Sequence, residues 1–254
     1  MDKTILKKIA EDAASEALKT ALSFLGNPQI TSNNFKDIKT IADLKINETI
    51  ISYLSTTDIP IISEEFESQL NEIPNLCWII DPLDGTYNFS RNFPGAGISI
   101  CLWENALPII GIVKDIFNDI TYDSFDGHGA RRNGNEIKVS VISDLEDAIL
   151  ATGFPSGGSF ETDDLLTFIR KIQIFKKIRS IGAASIMLCF VASGVFDIYY
   201  ENDIYLWDVA AGLSLVKESG GEVFFRRKGN SLKYEVLASN MKIFSNSKSL
   251  LITS

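Results

Sequence analysis

The spacing of apolar residues along the chain predicts five helices. In each segment apolar side chains recur every three or four positions, which is the period of one helix face. Gly26-Asn27-Pro28 and Gly220-Gly221 follow two of these segments and are typical of helix ends. The predicted helices cover residues 3–25, 41–54, 162–175, 184–191 and 209–219.

Shorter runs of β-branched and aromatic residues, bounded by turn residues, predict strands. They cover residues 59–63, 97–103, 107–117, 119–125, 149–152, 178–179 and 196–200. Three consecutive runs between residues 97 and 125 indicate an antiparallel meander. Beyond residue 143 strands and helices alternate, as in an α/β layer. We therefore expect an α+β protein with subdomains 1–142 and 143–254 that share one site, and we interpret residues 226–234 as polar and irregular.

Composition and charge limit the classes of protein to which the chain can belong. The chain has 254 residues, a net charge of −9 and only one histidine, His128. An acidic surface argues against a nucleic-acid binder, and without a Cys/His cluster a zinc site is not expected. The three cysteines are scattered in apolar surroundings, which is typical of reduced core thiols. The longest uncharged run, 180–196, is interpreted as a buried helix and strand, so no membrane partner is expected. The reduced cysteines favour a cytoplasmic protein.

A candidate chemical site lies where an apolar run meets two aspartates. Trp78-Ile79-Ile80 predicts a buried strand, and Pro82 is expected to stop it because proline has no N–H for the ladder. Asp81 and Asp84 would then share one loop, where like charges repel unless a positive charge joins them. A hard divalent cation such as Mg²⁺ would serve. A plain turn with solvated aspartates is the alternative for these residues taken alone.

Other polar residues near this loop have both a functional and a plain interpretation. The amides of Gly85 and Thr86 could open a helix and receive an anion. Glu64-Glu65 follows a predicted strand and would otherwise be solvated surface. Asp43 lies near the start of a predicted helix, where the helix dipole favours a carboxylate. Asp208 precedes another predicted helix and would serve there as an N-cap.

Taken whole, the string over residues 78–88 resembles the metal-binding signature of the inositol monophosphatase family, W-x-x-D-P-[IL]-D-G-T-x-N. The family's second signature, W-D-x-[AS]-[AG]-G, matches residues 207–212. Its Thr-x-x-Asp and Glu-Glu patterns match residues 40–43 and 64–65. The resemblance implies a layered α/β/α/β/α sandwich of the inositol monophosphatase/fructose-bisphosphatase type.

The same resemblance implies roles for individual residues. The implied ligands of two or three Mg²⁺ ions are Glu64, Asp81, the Leu83 carbonyl, Asp84 and Asp208. The implied catalytic residues are Asp43, Glu64 and Thr86. The implied substrate-binding residues are Asp84, Gly85, Thr86, Ala184 and Glu201. One departure is Ser63, which precedes the Glu-Glu pair where the family usually has glycine.

By this resemblance the chain is expected to be a Mg²⁺-dependent phosphomonoesterase in which a metal-activated water attacks the phosphate directly. The expected substrate is a small phosphorylated polyol, with inositol monophosphate preferred because the match extends to Glu201 and Gly182. A 3'(2'),5'-bisphosphate nucleotidase or fructose-1,6-bisphosphatase is the alternative. A non-catalytic binding or regulatory protein of the same fold is a further one, since fold does not determine function. Lithium sensitivity and a homodimer are also implied.

Overall fold

The computed structural model describes residues 2–34, 37–69, 72–153 and 161–252. Its helices are α1 (Lys3–Phe24), α2 (Ile41–Leu54), α3 (Thr86–Ser90), α4 (Thr162–Ile172), α5 (Ala184–Ala192), α6 (Leu206–Glu218) and α7 (Met241–Leu251). All five helices predicted from the apolar period are present, with ends that differ by up to three residues. The short α3 begins where Gly85 and Thr86 were expected to open a helix, and among the described helices only the C-terminal α7 was not predicted.

The strands form one large sheet, one smaller sheet and a hairpin. The hairpin is β1 (Ile30–Asn34) and β2 (Asp37–Thr40). The large sheet consists of β3 (Ile61–Ser63), β4 (Leu76–Asp84), β5 (Gly97–Glu104), β6 (Leu107–Asp115), β7 (Ile120–Phe125), β8 (Ala130–Arg132) and β9 (Asn135–Glu136), which are neighbours in that order. The smaller sheet consists of β10 (Ile149–Ala151), β11 (Lys177–Arg179), β12 (Ile198–Tyr205), β13 (Gly221–Arg227) and β14 (Lys233–Asn240). Its spatial order is β11-β10-β12-β14-β13.

The pairing of the strands confirms the predicted meander. β5, β6 and β7 are antiparallel neighbours in the large sheet. β3 is parallel to β4, and β10 is parallel to both β11 and β12. Strands of the large sheet precede residue 143 and those of the smaller sheet follow it. The division into subdomains 1–142 and 143–254 itself stays a prediction.

The helices and sheets stack in five layers, α/β/α/β/α, as the family resemblance implied. α1 and α2 share an apolar cluster with one face of the large sheet, in which Ile46, Ile50 and Trp78 are fully buried. α5 and α6 lie in a second cluster between the two sheets. α4 and α7 share a third cluster with the outer face of the smaller sheet. Strands β4 and β5 are therefore covered on both faces, which explains their almost continuous apolar sequence.

One interpretation of the sequence was correct only in part. Residues 228–232 lie outside the strands as a turn, but residues 226–227 and 233–234 belong to β13 and β14, which pair as an antiparallel hairpin. Charged residues near the turn obscure the strand pattern in the sequence. In the hairpin Phe224 pairs with Leu237 and Phe225 pairs with Val236. Among the described residues, no helix combines the length and the apolar composition that crossing a bilayer would require.

Candidate metal centre and active site

The first pair of candidate residues lies at the end of β4. The structure corrects the expectation that Pro82 stops this strand, since β4 continues to Asp84 with a shift of register between Asp81 and Asp84. Such an irregularity accommodates a proline that cannot donate to the ladder. The Leu83 N–H donates to Asp81 Oδ1 at 2.9 Å, which fixes the bend. Both aspartates are buried, so the alternative of solvated aspartates is wrong.

Three carboxylates from three elements meet at this edge of the sheet. Glu64, Asp81 and Asp208 each place one oxygen within 4.8 Å of the others. Glu64 directly follows β3, which is parallel to β4, so the carboxyl ends of the two strands come together. Asp208 lies in the first turn of α6. Its interpretation as an N-cap was wrong, because α6 begins earlier, at Leu206, and Tyr205 occupies the cap position.

Burial and mutual repulsion make these carboxyl groups hard to ionise. Burial, with the charges of Glu65 and Asp43, raises the pKa of Glu64 to about 8. Burial also raises the pKa of Asp81 well above its ordinary value, and the charges of Glu64, Asp84 and Asp208 add to the effect. The pKa of Asp208 is raised well above its ordinary value by burial and then by Asp84 and Glu64.

A divalent cation would relieve this repulsion and let all three groups ionise together. The donor set consists of carboxylate oxygens alone, and His128 lies elsewhere, stacked on Phe125. Oxygen ligands of this kind fit a hard cation and do not fit the nitrogen and sulfur preference of zinc. The cluster can therefore hold a metal ion.

Asp84 lies beside this cluster but has a partner of its own. Both the backbone N–H and the hydroxyl of Ser185 donate to Asp84 Oδ2, at 2.7 and 2.6 Å. Burial raises the pKa of Asp84 to about 6, although these hydrogen bonds oppose the rise. Its charge in turn contributes to the raised pKa values of Asp81 and Asp208. The charge of Asp84 therefore acts on the cluster, although Asp84 is not one of the three carboxylates that meet there.

Thr86 and Asp43 are joined directly. The Thr86 hydroxyl lies 2.9 Å from both Asp43 Oδ1 and the Leu83 carbonyl oxygen. Asp43 also accepts from the backbone N–H of Thr40 at 2.8 Å, and the two residues form a capping box at the start of α2. Asp43 therefore does lie at a helix start, as the plain interpretation held. Its carboxylate also accepts a hydrogen bond from Thr86. Gly85 precedes α3 with φ +85°, a backbone angle that favours glycine.

The two predicted substrate-binding residues of the second half lie on α5 and β12. Ala184 is the first residue of α5 and is buried next to Ser185. Glu201 is 4% exposed, and its Oε1 accepts a 3.0 Å hydrogen bond from the Tyr199 hydroxyl. Burial raises the pKa of Glu201 to about 7, with a contribution from the charge of Asp84. The charge of Asp84 therefore acts both on the carboxylate cluster and on Glu201.

Comparison with known proteins identifies the family. The sequence model of the inositol monophosphatase family matches residues 2–252. The chain belongs to that family. A fructose-1,6-bisphosphatase/inositol-1-monophosphatase from Aquifex aeolicus is 33% identical over 221 residues, covering 84% of this chain and 82% of that protein. A protein named Nus factor SuhB from Pasteurella multocida is 33% identical over 210 residues, covering 80% of this chain and 77% of that protein.

Solved structures agree with this assignment. An inositol monophosphatase from Anabaena (Nostoc) sp. PCC 7120 has a TM-score of 0.82 at 28% identity, over 98% of this chain and 96% of that one. Members of the inositol monophosphatase family are metal-dependent phosphatases that act on small phosphorylated substrates. This chain is accordingly an inositol-monophosphatase-like phosphoric monoester hydrolase.

Three polar residues support the site in ways that were not predicted from the sequence. Ser185 and Tyr199 hold the carboxylates of Asp84 and Glu201. The Asn88 side chain donates to the carbonyls of Gly95 and Ile181 at 2.7 and 2.8 Å, which ties α3 to the second half of the chain. Asn88 belongs to the family signature and Tyr199 lies two residues from Glu201 on the same strand, so both carried a signal. Ser185 carried none, since its partner is 101 residues away.

Proposed function

We propose that the protein is a Mg²⁺-dependent phosphomonoesterase that hydrolyses a small phosphorylated polyol, with inositol monophosphate as its preferred substrate. The observation that carries the proposal is the group of Glu64, Asp81 and Asp208, whose oxygens lie within 4.8 Å of one another. A phosphate ester repels nucleophiles, so a site for it needs positive charge at the reacting atoms. This chain, with its net charge of −9, would obtain that charge locally from bound cations.

The proposed ligands are oxygen donors throughout, which is the preference of Mg²⁺. They are the carboxylates of Glu64, Asp81, Asp84 and Asp208 and the carbonyl of Leu83. Family resemblance assigns them to two or three ions. When bound, the ions supply charge that stabilises the transferring phosphoryl group and make a coordinated water more acidic.

The chain's own residues would orient the reactants. In the proposed active form the Thr86 hydroxyl uses its one proton to donate a hydrogen bond to Asp43. The oxygen of Thr86 is then left to accept a hydrogen bond from the attacking water, and Glu64 helps to hold that water. The N–H groups of Gly85 and Thr86, at the start of α3, would bind the phosphate oxygens. No residue of the chain is phosphorylated in this scheme, because the water attacks directly.

A polyol is favoured by the acceptor side of the site. Glu201 is buried and offers a carboxylate, which accepts hydrogen bonds from hydroxyl groups. Its Oε1 is engaged by Tyr199, so Oε2 would face the substrate hydroxyls beside the backbone of Ala184. A 3'(2'),5'-bisphosphate nucleotidase or fructose-1,6-bisphosphatase activity is the second candidate, favoured by the double name of the Aquifex aeolicus relative. A non-catalytic role is a third, favoured by the name Nus factor SuhB.

Four further properties are proposed. The homodimer and inhibition by lithium are proposed from family resemblance, and the cytoplasmic location and the two subdomains are proposed from the residue pattern of the chain. Light scattering after gel filtration would test the dimer, and a lithium titration in the phosphatase assay would test inhibition.

The deciding experiment is phosphate release with Mg²⁺ on a panel of inositol 1-phosphate, 3'-phosphoadenosine 5'-phosphate, fructose 1,6-bisphosphate and NADP. Asp84→Asn serves as the control, and we expect it to remain folded and to lose roughly 100-fold or more in kcat, since a ligand charge is removed. Turnover of inositol 1-phosphate far above the others would support the proposal. Preference for another compound would favour the second candidate, and no turnover by a folded, metal-binding protein would favour the third.

A further inference from the structure

The start of α5 is bonded to the end of β4 through a single carboxylate oxygen. Asp84 Oδ2 accepts the Ser185 hydroxyl at 2.6 Å and the Ser185 backbone N–H at 2.7 Å. Ser185 is fully buried, and Asp84 is 8% exposed. Hydrogen bonds to an ionised acceptor in such surroundings are stronger than neutral ones. The orientation of the Asp84 carboxylate is therefore determined from the second half of the chain.

The hydroxyl of Ser185 does not serve its own helix. Ala183 occupies the N-cap position of α5 and has no polar side chain with which to cap it, so Asp84 accepts the free N–H of Ser185 in its place. The one proton of the Ser185 hydroxyl also goes to Asp84. The side chain of this serine therefore adds a second hydrogen bond to a carboxylate that already caps α5.

The large sheet leaves space for this contact. Gly97 on β5 is the cross-strand partner of Asp84. A Cβ atom at Gly97 would lie 3.1 Å from Ser185 Oγ and 2.9 Å from Ile186 Cδ1, both closer than normal packing allows. The missing side chain at Gly97 thus lets α5 approach the sheet closely enough for Ser185 to reach Asp84.

This arrangement would divide the two oxygens of Asp84 between two tasks. Oδ2 accepts both hydrogen bonds from Ser185, and the backbone N–H of Ala184 also acts on the carboxylate. In the proposed site Oδ1 would serve the cation at the carboxylate cluster, on which the charge of Asp84 already acts. A carboxylate held on one oxygen cannot rotate freely or chelate with both. Groups that hold a ligand in this way are important for metal affinity, and their loss typically costs about 10–100-fold.

We propose that Ser185 is a positioning residue that fixes Asp84 for cation binding and thereby sets the affinity of the centre for Mg²⁺. The proposal rests on the proposed function, since it needs Asp84 to be a metal ligand. Ser185 and Asp84 are 101 positions apart in the sequence and come together only in the folded chain.

The test is a calorimetric titration of the substrate-free protein with Mg²⁺, for wild type and Ser185→Ala, well below the melting temperature. We expect the Mg²⁺ dissociation constant of Ser185→Ala to rise about tenfold, and kcat to recover at saturating Mg²⁺. Gly97→Ala is a second variant, expected to weaken Mg²⁺ binding by pushing Ser185 away. Ser214→Ala is the matched control, because Ser214 is also buried on a neighbouring helix and bonded at 2.8 Å to Ser124. Its Mg²⁺ affinity should equal that of wild type.

The outcomes separate this inference from the proposed function. If Ser185→Ala melts at a lower temperature but binds Mg²⁺ as wild type does, the role of Ser185 is structural and the inference is wrong while the proposed function stands. If wild type neither binds Mg²⁺ nor releases phosphate, both are wrong. Weaker Mg²⁺ binding in Ser185→Ala with an unchanged Ser214→Ala supports the inference.

Discussion

The Thr86 hydroxyl donates toward Asp43 Oδ1 across 2.9 Å and so joins the start of α3 to the first turn of α2. Asp43 is buried at 4% exposure, and burial raises its pKa even though hydrogen bonds from Thr40 and Thr86 lower it. The same hydroxyl also lies 2.9 Å from the Leu83 carbonyl. Since a hydroxyl has one proton, the two acceptors compete for it, and a cation on the carbonyl would leave the proton to Asp43.

The first prediction follows from this contact. Thr86→Val keeps the shape of the side chain but cannot orient a water, so we expect kcat to fall by roughly 100-fold or more. Mg²⁺ affinity should change little, because the hydroxyl is not among the proposed ligands. Phosphate-release kinetics and a calorimetric Mg²⁺ titration measure the two effects. Asp43 is a poorer target, because its substitution would also remove the capping box of α2.

Thr86→Ser provides the matched control for this variant. It retains the hydroxyl and loses only a methyl group, so its kcat should stay within a few-fold of wild type. A Thr86→Val protein with wild-type kcat would remove Thr86 from the proposed mechanism.

The acidic residues of the centre were predictable because they lie in two signatures that resemble those of a known family. Taken alone, Asp81 and Asp84 beside a proline and a glycine are also compatible with a plain turn. Several of the helices were predictable from local pattern, since the apolar periods of α1, α2 and α6 are uninterrupted. The five-layer arrangement of helices and sheets was implied by the resemblance and not by that pattern.

Contacts between distant segments were not predictable. The bonds of Ser185 to Asp84 and of Asn88 to Ile181 span 101 and 93 residues. Asn88 belongs to the family signature, but no local pattern identifies the distant partner of either residue. The continuation of β4 through Pro82 was also missed, because a shift in register overrides the local rule that proline ends a strand. Tertiary packing decided each of these features.

A second prediction concerns Tyr199 and the acceptor side of the site. Tyr199→Phe removes the hydrogen bond to Glu201, so the carboxylate loses its fixed orientation toward substrate hydroxyls. We expect KM for the polyol substrate to rise about tenfold, the equivalent of one hydrogen bond to a charged group. The value of kcat at saturation should change much less, since in the proposed function Glu201 would bind the part of the substrate that does not react.

The neighbouring tyrosine supplies the control for this prediction. Tyr200 points to the other face of the strand, where its hydroxyl bonds to Glu235 at 3.2 Å. Tyr200→Phe should therefore leave KM unchanged. An equal rise of KM in both variants would indicate a general disturbance of β12 and would contradict the specific role of Tyr199.

A third prediction explains the tryptophan at the head of the signature. The Trp78 Nε1–H donates to Thr57 Oγ1 at 3.0 Å in a fully buried setting. Thr57→Val would leave that donor without this acceptor, so we expect the free energy of unfolding to fall by about 1–3 kcal/mol. Urea denaturation measures the loss, and kcat of the folded enzyme should not change. Thr56→Val, at the exposed neighbouring position, should change stability by less than about 0.5 kcal/mol. Equal losses in the two variants would show that the bond to Trp78 contributes nothing.

The last prediction concerns pH and uses the raised pKa values of the carboxylate cluster. Glu64 has a pKa of about 8 in the folded protein against an ordinary value of 4.5. Between these values the folded state binds more protons than the unfolded state, so the stability of metal-free protein falls as pH rises. Each such group contributes about 1.4 kcal/mol per pH unit within its window. We therefore expect urea denaturation in EDTA to give a lower free energy of unfolding at pH 8 than at pH 6.

Mg²⁺ should reverse this trend, because the ion binds the deprotonated carboxylates and its affinity rises with pH. In saturating Mg²⁺ the folded protein should be stabilised more at pH 8 than at pH 6, by mass action. Glu64→Gln removes one of the titrating groups while keeping a side chain of similar size, so its stability in EDTA should depend less steeply on pH. If wild type and Glu64→Gln have the same pH dependence in EDTA, then Glu64 is not protonated in the folded protein. The carboxylates of the cluster would then be ionised side by side in the metal-free protein. Their repulsion would no longer be an argument that a metal ion binds at this site.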